Sequence, residues 1–306
     1  MLDLIISVTA MLAFCGVAAA CGGALQGMAN RRLVILLQIL VAVLMGGYLY
    51  WLMDSPLLVS IVPLSAAIVL SNWLPLMGAF FAGICFRTAA ISAVRRAFLS
   101  TALLSLCAYS LVSPLLGESP RCADVDFERI LEFQTTEQTC SPACAAGLLR
   151  LHGIHATERE LSKLCLTRQG THWLGLYRGL KLKTEGTPWD VVVEKISGDE
   201  LREGSHSPGI LSLTFGDVVS QAQSEEGFQS SVGHSVVSLG RTASGNLQVF
   251  DPSPDYGFET WNQETLQDVE SAILVRLVSR DGSPVPFSRL NPTMASQWNT
   301  VAWARR

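Results

Sequence analysis

The sequence is short of charge. Only 16% of its 306 residues are Asp, Glu, Lys or Arg, against roughly 25% in an ordinary soluble domain, and its mean hydropathy is +0.34. A chain this apolar is neither a disordered segment nor a collagenous repeat, and a net charge of −4 excludes a nucleic-acid binder that works through basic charge. No Gly-x-x-x-x-Gly-Lys-Ser/Thr loop occurs, so no phosphate cradle for ATP is expected, and no internal repeat or low-complexity tract interrupts the chain.

The scarcity is uneven. Residues 1–117 contain no lysine and only seven charged residues: Asp3, Arg31, Arg32, Asp54, Arg87, Arg95 and Arg96. That part carries +3 and the remainder −7. Four charge-free runs, 4–30, 33–53, 55–86 and 97–117, each reach the ~20 apolar residues that cross a bilayer core as a helix. The sequence therefore predicts an α-helical transmembrane region over 1–117, with helices at 4–30, 33–53, 57–86 and 97–116. A cleaved signal is the alternative for the first run, since Ala18-Ala19-Ala20 precedes Cys21. The acidic Asp3 and the continuation of the run to Met28 count against it. Pro63 and Pro75 leave the third run open to a kink or a re-entrant piece.

Arginines set the expected orientation. Arg31 and Arg32 lie between the first two runs, and Arg87, Arg95 and Arg96 between the last two, whereas the N-terminus and the Asp54 loop carry no Lys or Arg. Positive loops stay in the cytoplasm. The expectation is an integral protein of the bacterial inner (cell) membrane, with its soluble part extracytoplasmic.

That soluble part spans 118–287 and is followed by a tail, 288–306, in which Trp298, Trp303 and Arg305-Arg306 suit a membrane surface or a loose end. After a lead-in at 128–133, Ser141–His152 reads as a helix stopped by Gly153. Thr157–Cys165 reads as a second, opened by a Thr157/Glu160 capping box, and Leu174–Leu182 as a third. β-type runs follow at Ile210–Thr214, Ser235–Leu239, Leu247–Phe250 and Ala272–Leu277. Helices followed by an antiparallel sheet make an α+β domain.

Candidate chemistry centres on Cys140. It stands where the first of these helices begins, with Pro142 in the first turn, and the positive end of a helix dipole favours the thiolate. A nucleophilic thiol needs a base and a group to orient that base. The turn-rich Gly240–Asn246 segment predicts a hairpin, and centring its turn near 242 and 243 sets His234 opposite Asp251. Cys140, His234 and Asp251 would then form a Cys-His-Asp triad. The Cys140, Cys144, His152, His155 series has zinc-like spacing. A single helix spreads it over about 18 Å of rise, too far for four ligands on one ion, so no metal or other cofactor is expected. His172 and His206 read as solvated, and Trp173, Trp189 and Trp261 as core or rim packing, with Trp173 also placed to meet a substrate. With Cys140 as nucleophile, Cys122, Cys144 and Cys165 remain, so one disulfide is open, either Cys144 with Cys165 or Cys122 with Cys165.

Taken together, these motifs resemble the C39 cysteine peptidases, a papain-like family. Gln134, then Cys140-Ser141-Pro142-Ala143-Cys144-Ala145-Ala146 and Leu151-His152-Gly153, is similar to the family's opening signature of a Gln, an Asp-Cys-Gly six residues on, and a helix ending in Tyr-His-Gly. Thr167–Thr171 is similar to a family turn, Gly233–Val237 to its Gly-His-Tyr-Val-Val box, and Val249–Pro252 to its later Asp-Pro; the resemblance covers about 130–280. It implies Cys140 as nucleophile, His234 as general base and acid, Asp251 as orienting carboxylate and Gln134 as donor to the oxyanion. Two departures touch the nucleophile: Thr139 replaces the family's Asp and Ser141 its Gly.

The expected function is a membrane-anchored cysteine peptidase acting on a peptide or protein at the bilayer. Family members often trim leaders after Gly-Gly and are fused to exporters. Here a separate transporter or membrane complex would be the further partner. The alternatives are a degenerate C39-like peptide-binding adaptor and a thiol acyltransferase or amidase on the same triad.

Overall fold

The computed structural model describes residues 1–28, 30–88, 92–123, 129–204, 208–215, 233–267 and 269–282. The chain divides into two compact units, Met1–Leu116 and Gly117–Arg306. His206, residue 128 of the expected lead-in and the tail at 288–306 lie outside the described residues.

The first unit is helical: α1 (Leu2–Met28), α2 (Arg31–Gly47), α3 (Leu57–Ile61), α4 (Ala67–Leu70), α5 (Leu74–Arg87) and α6 (Ala93–Val112). Two of its helices, α2 and α6, start at side-chain caps. The Asn30 carboxamide accepts Leu33 N–H at 2.9 Å, and Ser92 caps α6 by accepting Arg95 N–H. Four stretches are long and apolar enough to cross a membrane: Leu2–Gly27, Arg32–Leu52, Ala67–Arg87 and Ala93–Leu115. Leu36, Val43, Val94 and Phe98 leave the surface of this unit apolar.

The third run is not the single helix expected over 57–86. Pro63 has no N–H and disfavours helical backbone at the residue before it, and Val62 accordingly closes α3 at φ −123°, ψ 77°. Helix resumes as the single turn α4 and again at α5, where Pro75 occupies the first turn at no cost. Side chains bind the backbone around these breaks. Tyr48 donates to Ser71 O at 2.7 Å and Trp73 Nε1 to Leu70 O at 3.2 Å, while Asn72 Nδ2 donates to Ser110 O at 3.1 Å. Such partners would make a broken helix tolerable in hydrocarbon. Packing of α1 on α5 depends on Gly83, where a Cβ would sit 1.9 Å from Ala19 O.

The second unit opens with α7 (Cys140–Leu151), α8 (Glu158–Leu164) and α9 (Trp173–Thr184). It continues through β1 (Trp189–Ser197), α10 (Gly198–Glu203), β2 (Gly209–Phe215), β3 (His234–Arg241), β4 (Leu247–Asp251), β5 (Gly257–Trp261), α11 (Gln263–Gln267) and β6 (Val269–Ser279). The strands form one antiparallel sheet in the order β1-β6-β2-β3-β4-β5. Leu211, Leu213, Val236, Val249 and Leu274 join Leu201 and Leu266 in its core. Every residue of α7 except Arg150 is buried, and that exception pairs with Glu132 at 2.8 Å. The helix that begins with Cys140 is thus held from all sides, against β3 and β2 and against α8 and α9.

Local expectations meet two corrections. Thr157 caps α8 by accepting Glu160 N–H at 2.9 Å, but the Glu160 carboxylate turns to Lys183 at 2.9 Å instead of returning to the cap. The reciprocal capping box lies at Ser197 and Glu200, opening α10. Cys122, Cys144 and Cys165 are free thiols, so neither disulfide pairing forms. Cys144 Sγ donates to Ser235 O at 3.3 Å, and Cys165 lies in the space a Cβ at Gly179 would need.

Candidate active site

Cys140 is the first residue of α7. Thr139 occupies the N-cap position without capping the helix by its side chain. Its hydroxyl instead donates to Thr136 O at 2.8 Å and accepts Thr136 N–H at 3.2 Å, closing the turn that delivers the chain to Cys140. The amides of the first helical turn therefore keep their partial positive charge directed at the Cys140 end.

His234 begins β3 and Asp251 ends β4. The expected direct opposition does not occur. Val237 pairs with Phe250 and Ser238 with Val249, then a bulge shifts the ladder so that Gly240 pairs with Gln248 and Arg241 with Leu247. Gly240, at φ +118°, supplies the backbone this bulge requires. The turn is centred near 244, and the ladder continued toward the strand ends sets Asp251 against Val236, two residues from His234. Such diagonal neighbours remain within reach of long side chains. His234 Nε2 donates to Asp251 Oδ2 at 2.7 Å, both side chains being nearly enclosed.

Asp251 is fixed on its other side as well. Its Oδ1 accepts Ser253 N–H at 2.7 Å, and Pro252 O accepts Gln134 N–H at 2.7 Å. Gln134 is thereby tied to the Asp251 turn by its main chain, while its Oε1 is buried without a hydrogen-bond partner among the described residues. The Phe133 ring packs on Phe250, with centroids 5.7 Å apart.

With Nε2 committed to the carboxylate, the other face of the imidazole serves Cys140, which lies within its hydrogen-bonding reach. Burial acts to raise the Cys140 thiol. The hydrogen bond and charge of His234, the Ser235 backbone and the Ser141 hydroxyl outweigh it and bring the thiol below its ordinary range. Burial likewise acts to lower His234, but Asp251 and Cys140 prevail and raise it to about 10. Both directions favour the thiolate and the imidazolium relative to free side chains.

No other thiol of this unit is so placed. Burial, then the charges of Cys140 and Asp251, push Cys144 well up; burial raises Cys165 to about 12 and also raises Cys122. His152 is turned away, with Nδ1 at 2.8 Å from Leu148 O and its ring edge-on to Trp189 at 4.6 Å. His172 is exposed as read, yet it caps α9 by accepting Leu174 N–H at 3.2 Å. Trp173 is buried.

Sequence reasoning missed Ser235. Its hydroxyl lies 2.8 Å from that of Ser141, and both residues are buried. A serine following the histidine carries no sequence signal of that contact. Chemically, the arrangement sets a thiol below its ordinary range at an uncapped helix start, beside an imidazole bonded to a carboxylate. A thiol nucleophile, an imidazole and an orienting group are the components of nucleophilic attack on a carbonyl carbon.

No family model and no curated protein matches the chain. Among solved structures the chain is similar to the peptidase domain of Streptococcus ComA, described as a bi-functional ABC transporter involved in a quorum-sensing pathway. The identity is 20% over 49% of this chain and 98% of that one, with a TM-score of 0.39. The corresponding domain of Streptococcus mutans ComA gives 20% identity, 49% and 99% coverage and a TM-score of 0.34. A double glycine motif protease from an AMS/PCAT transporter, solved with a leader peptide, gives 15% identity, 53% and 94% coverage and a TM-score of 0.35.

Proposed function

We propose that the chain is a membrane-anchored cysteine peptidase of C39 type that cleaves a peptide bond through Cys140, His234 and Asp251. The observation that carries this reading is the buried His234–Asp251 contact at 2.7 Å beside a thiol at a helix start. The Cys140 thiolate adds to the scissile carbonyl carbon, and the resulting oxyanion is held by the Cys140 N–H and the Gln134 carboxamide. His234 gives its proton to the leaving amine as the C–N bond breaks, leaving a thioester on Cys140. Water, deprotonated by His234, adds to that thioester; the acid departs and the thiol is restored. Asp251 holds the imidazole in the required orientation throughout.

The full-length chain in nanodiscs, incubated with a peptide library, tests this directly. Cleavage should vanish in Cys140→Ala and His234→Ala. Cleavage that survives Cys140→Ala removes the reading, and products joined to an added amine in preference to water would reassign the site to acyl transfer. Folded protein with no cleavage of any peptide, and a Cys140 no more reactive than Cys144, would leave a peptide-binding adaptor.

The arginine distribution supports a peptidase unit on the extracytoplasmic face of the inner membrane, acting beside a separate transporter or membrane complex. A reporter fused after Arg306 should then be active only outside the cytoplasm. Activity inside would reverse the orientation and favour cytosolic leader peptides as substrates.

A further inference from the structure

Ser235 is gripped by the Cys140 helix through both its side chain and its main chain. Its Oγ lies 2.8 Å from Ser141 Oγ, its carbonyl accepts the Cys144 thiol at 3.3 Å, and its backbone stabilises the Cys140 thiolate. Ser141 and Cys144 sit one and four residues beyond Cys140 on α7, while Ser235 directly follows His234 on β3. The contact therefore joins the residue after the nucleophile to the residue after the base. Ser235 is fully enclosed and Ser141 is 4% exposed, so water cannot substitute for either hydroxyl.

We propose that Ser141 and Ser235 form a positioning pair that fixes Cys140 and His234 at working separation and orientation. The inference rests on the Cys-His reading of the site and adds to it. The helix start and the strand start belong to different elements, and nothing covalent sets their spacing. A hydroxyl pair has a narrow range of good distances, and in a dry setting losing one partner strands the other. Titratable groups around Cys140 are His234 on β3, Asp251 on β4 and Cys144 on its own helix. Neither serine is charged in the working pH range. The Ser141 hydroxyl also touches Cys140 Sγ at 4.0 Å, so removing it takes a direct contact from the thiolate as well; the Ser235 hydroxyl is bonded to Ser141, so a change in Cys140 titration on removing it reports geometry.

Alkylation of Cys140 by iodoacetamide, followed across pH by mass spectrometry on the full chain in nanodiscs, tests the pair. Ser141→Ala and Ser235→Ala should each slow the neutral-pH rate roughly three- to tenfold and move the rising limb to higher pH, with the double variant no slower than the slower single. Ser235→Ala carries the test, and Ser235→Thr, which keeps the hydroxyl, should restore the wild-type rate and limb; if Ser235→Ala does not fold, as judged by circular dichroism, Ser235→Cys replaces it. Rates and limbs that stay at wild-type values, or losses that multiply in the double variant, overturn the proposal. His234→Ala separates the two layers. If wild-type alkylation is indifferent to His234, the Cys-His reading itself fails; if it depends on His234 but not on the serines, only the positioning role fails.

Discussion

His234 Nε2 reaches Asp251 Oδ2 at 2.7 Å across a ladder that leaves the two residues out of direct opposition. A diagonal pair is less tolerant than an opposed one, because the imidazole must lean along the strand to make it. Asp251 holds it from a carboxylate that is itself anchored by Ser253 N–H. Asp251→Asn preserves shape but removes the charge that favours imidazolium. It should lower kcat/KM for a cleaved peptide by at least about tenfold, with KM changed less than kcat. Asp251→Ala, which also strands the Ser253 amide, should cost more activity and some thermal stability. Wild-type kinetics in either variant would show that the carboxylate does not serve the imidazole.

The pH profile follows from the two opposed shifts. Attack needs the thiolate, and Cys140 is held below the ordinary thiol range, so alkylation should rise at lower pH than for a free cysteine and stay high into alkali. In the proposed mechanism, hydrolysis also needs a proton on His234 for the leaving amine. That proton is lost as pH passes about 10, so kcat/KM should fall there while alkylation does not. His234 has the same sign in folding. Its protonated form is favoured in the native state, so its stabilising contribution is complete below the unfolded histidine value of about 6.5 and disappears as pH rises through about 10. Parallel alkylation and hydrolysis curves would contradict the division of roles.

How far the sequence spoke for this site depends on the range of each signal. The start of α7 was legible because Pro142 and the Ala/Leu-rich run are local, and the strand runs within β2, β3, β4 and β6 were legible from short β-type stretches. β1 and β5, the two edge strands, were not; Asp190, Glu194 and Lys195 dilute one, and the other is only five residues long, with Glu259 and Thr260 adjacent in it. The His234–Asp251 partnership was foreseen for a slightly wrong reason, since the bulge that moves the register depends on the backbone at Gly240. Thr139 and Ser141 read only as departures from the C39 pattern. What they do, a closed turn and a bond to a strand nearly a hundred residues on, is tertiary.

Selective labelling is a further expected outcome. Cys122, Cys144 and Cys165 are buried free thiols raised above their ordinary range, Cys165 to about 12, and only Cys140 is lowered. Brief treatment of folded protein with a small alkylating agent at neutral pH should place the first adduct of the second unit on Cys140. Denaturant should make all four react at similar rates. Early modification of Cys144, four residues along the same helix, would mean that the protein opens there more readily than the packing of α7 allows.

In the first unit, the close approach of α1 and α5 is the feature most exposed to a single substitution. A Cβ on Gly83 would lie 1.9 Å from Ala19 O and 2.7 Å from the carbonyl carbon, a backbone collision that no rotamer relieves. In a bilayer, lipid tails would give helices no hydrophobic reason to associate, so such contacts would carry a large share of the packing. Gly83→Ala must separate the helices and should destabilise the unit by about 1–3 kcal/mol, the usual cost of overpacking, read as a lower midpoint in detergent unfolding. Gly16→Ala serves as the control on the same helix pair, since a Cβ there meets nothing within 4 Å. Equal effects from the two alanines would show that the α1–α5 spacing does not depend on Gly83.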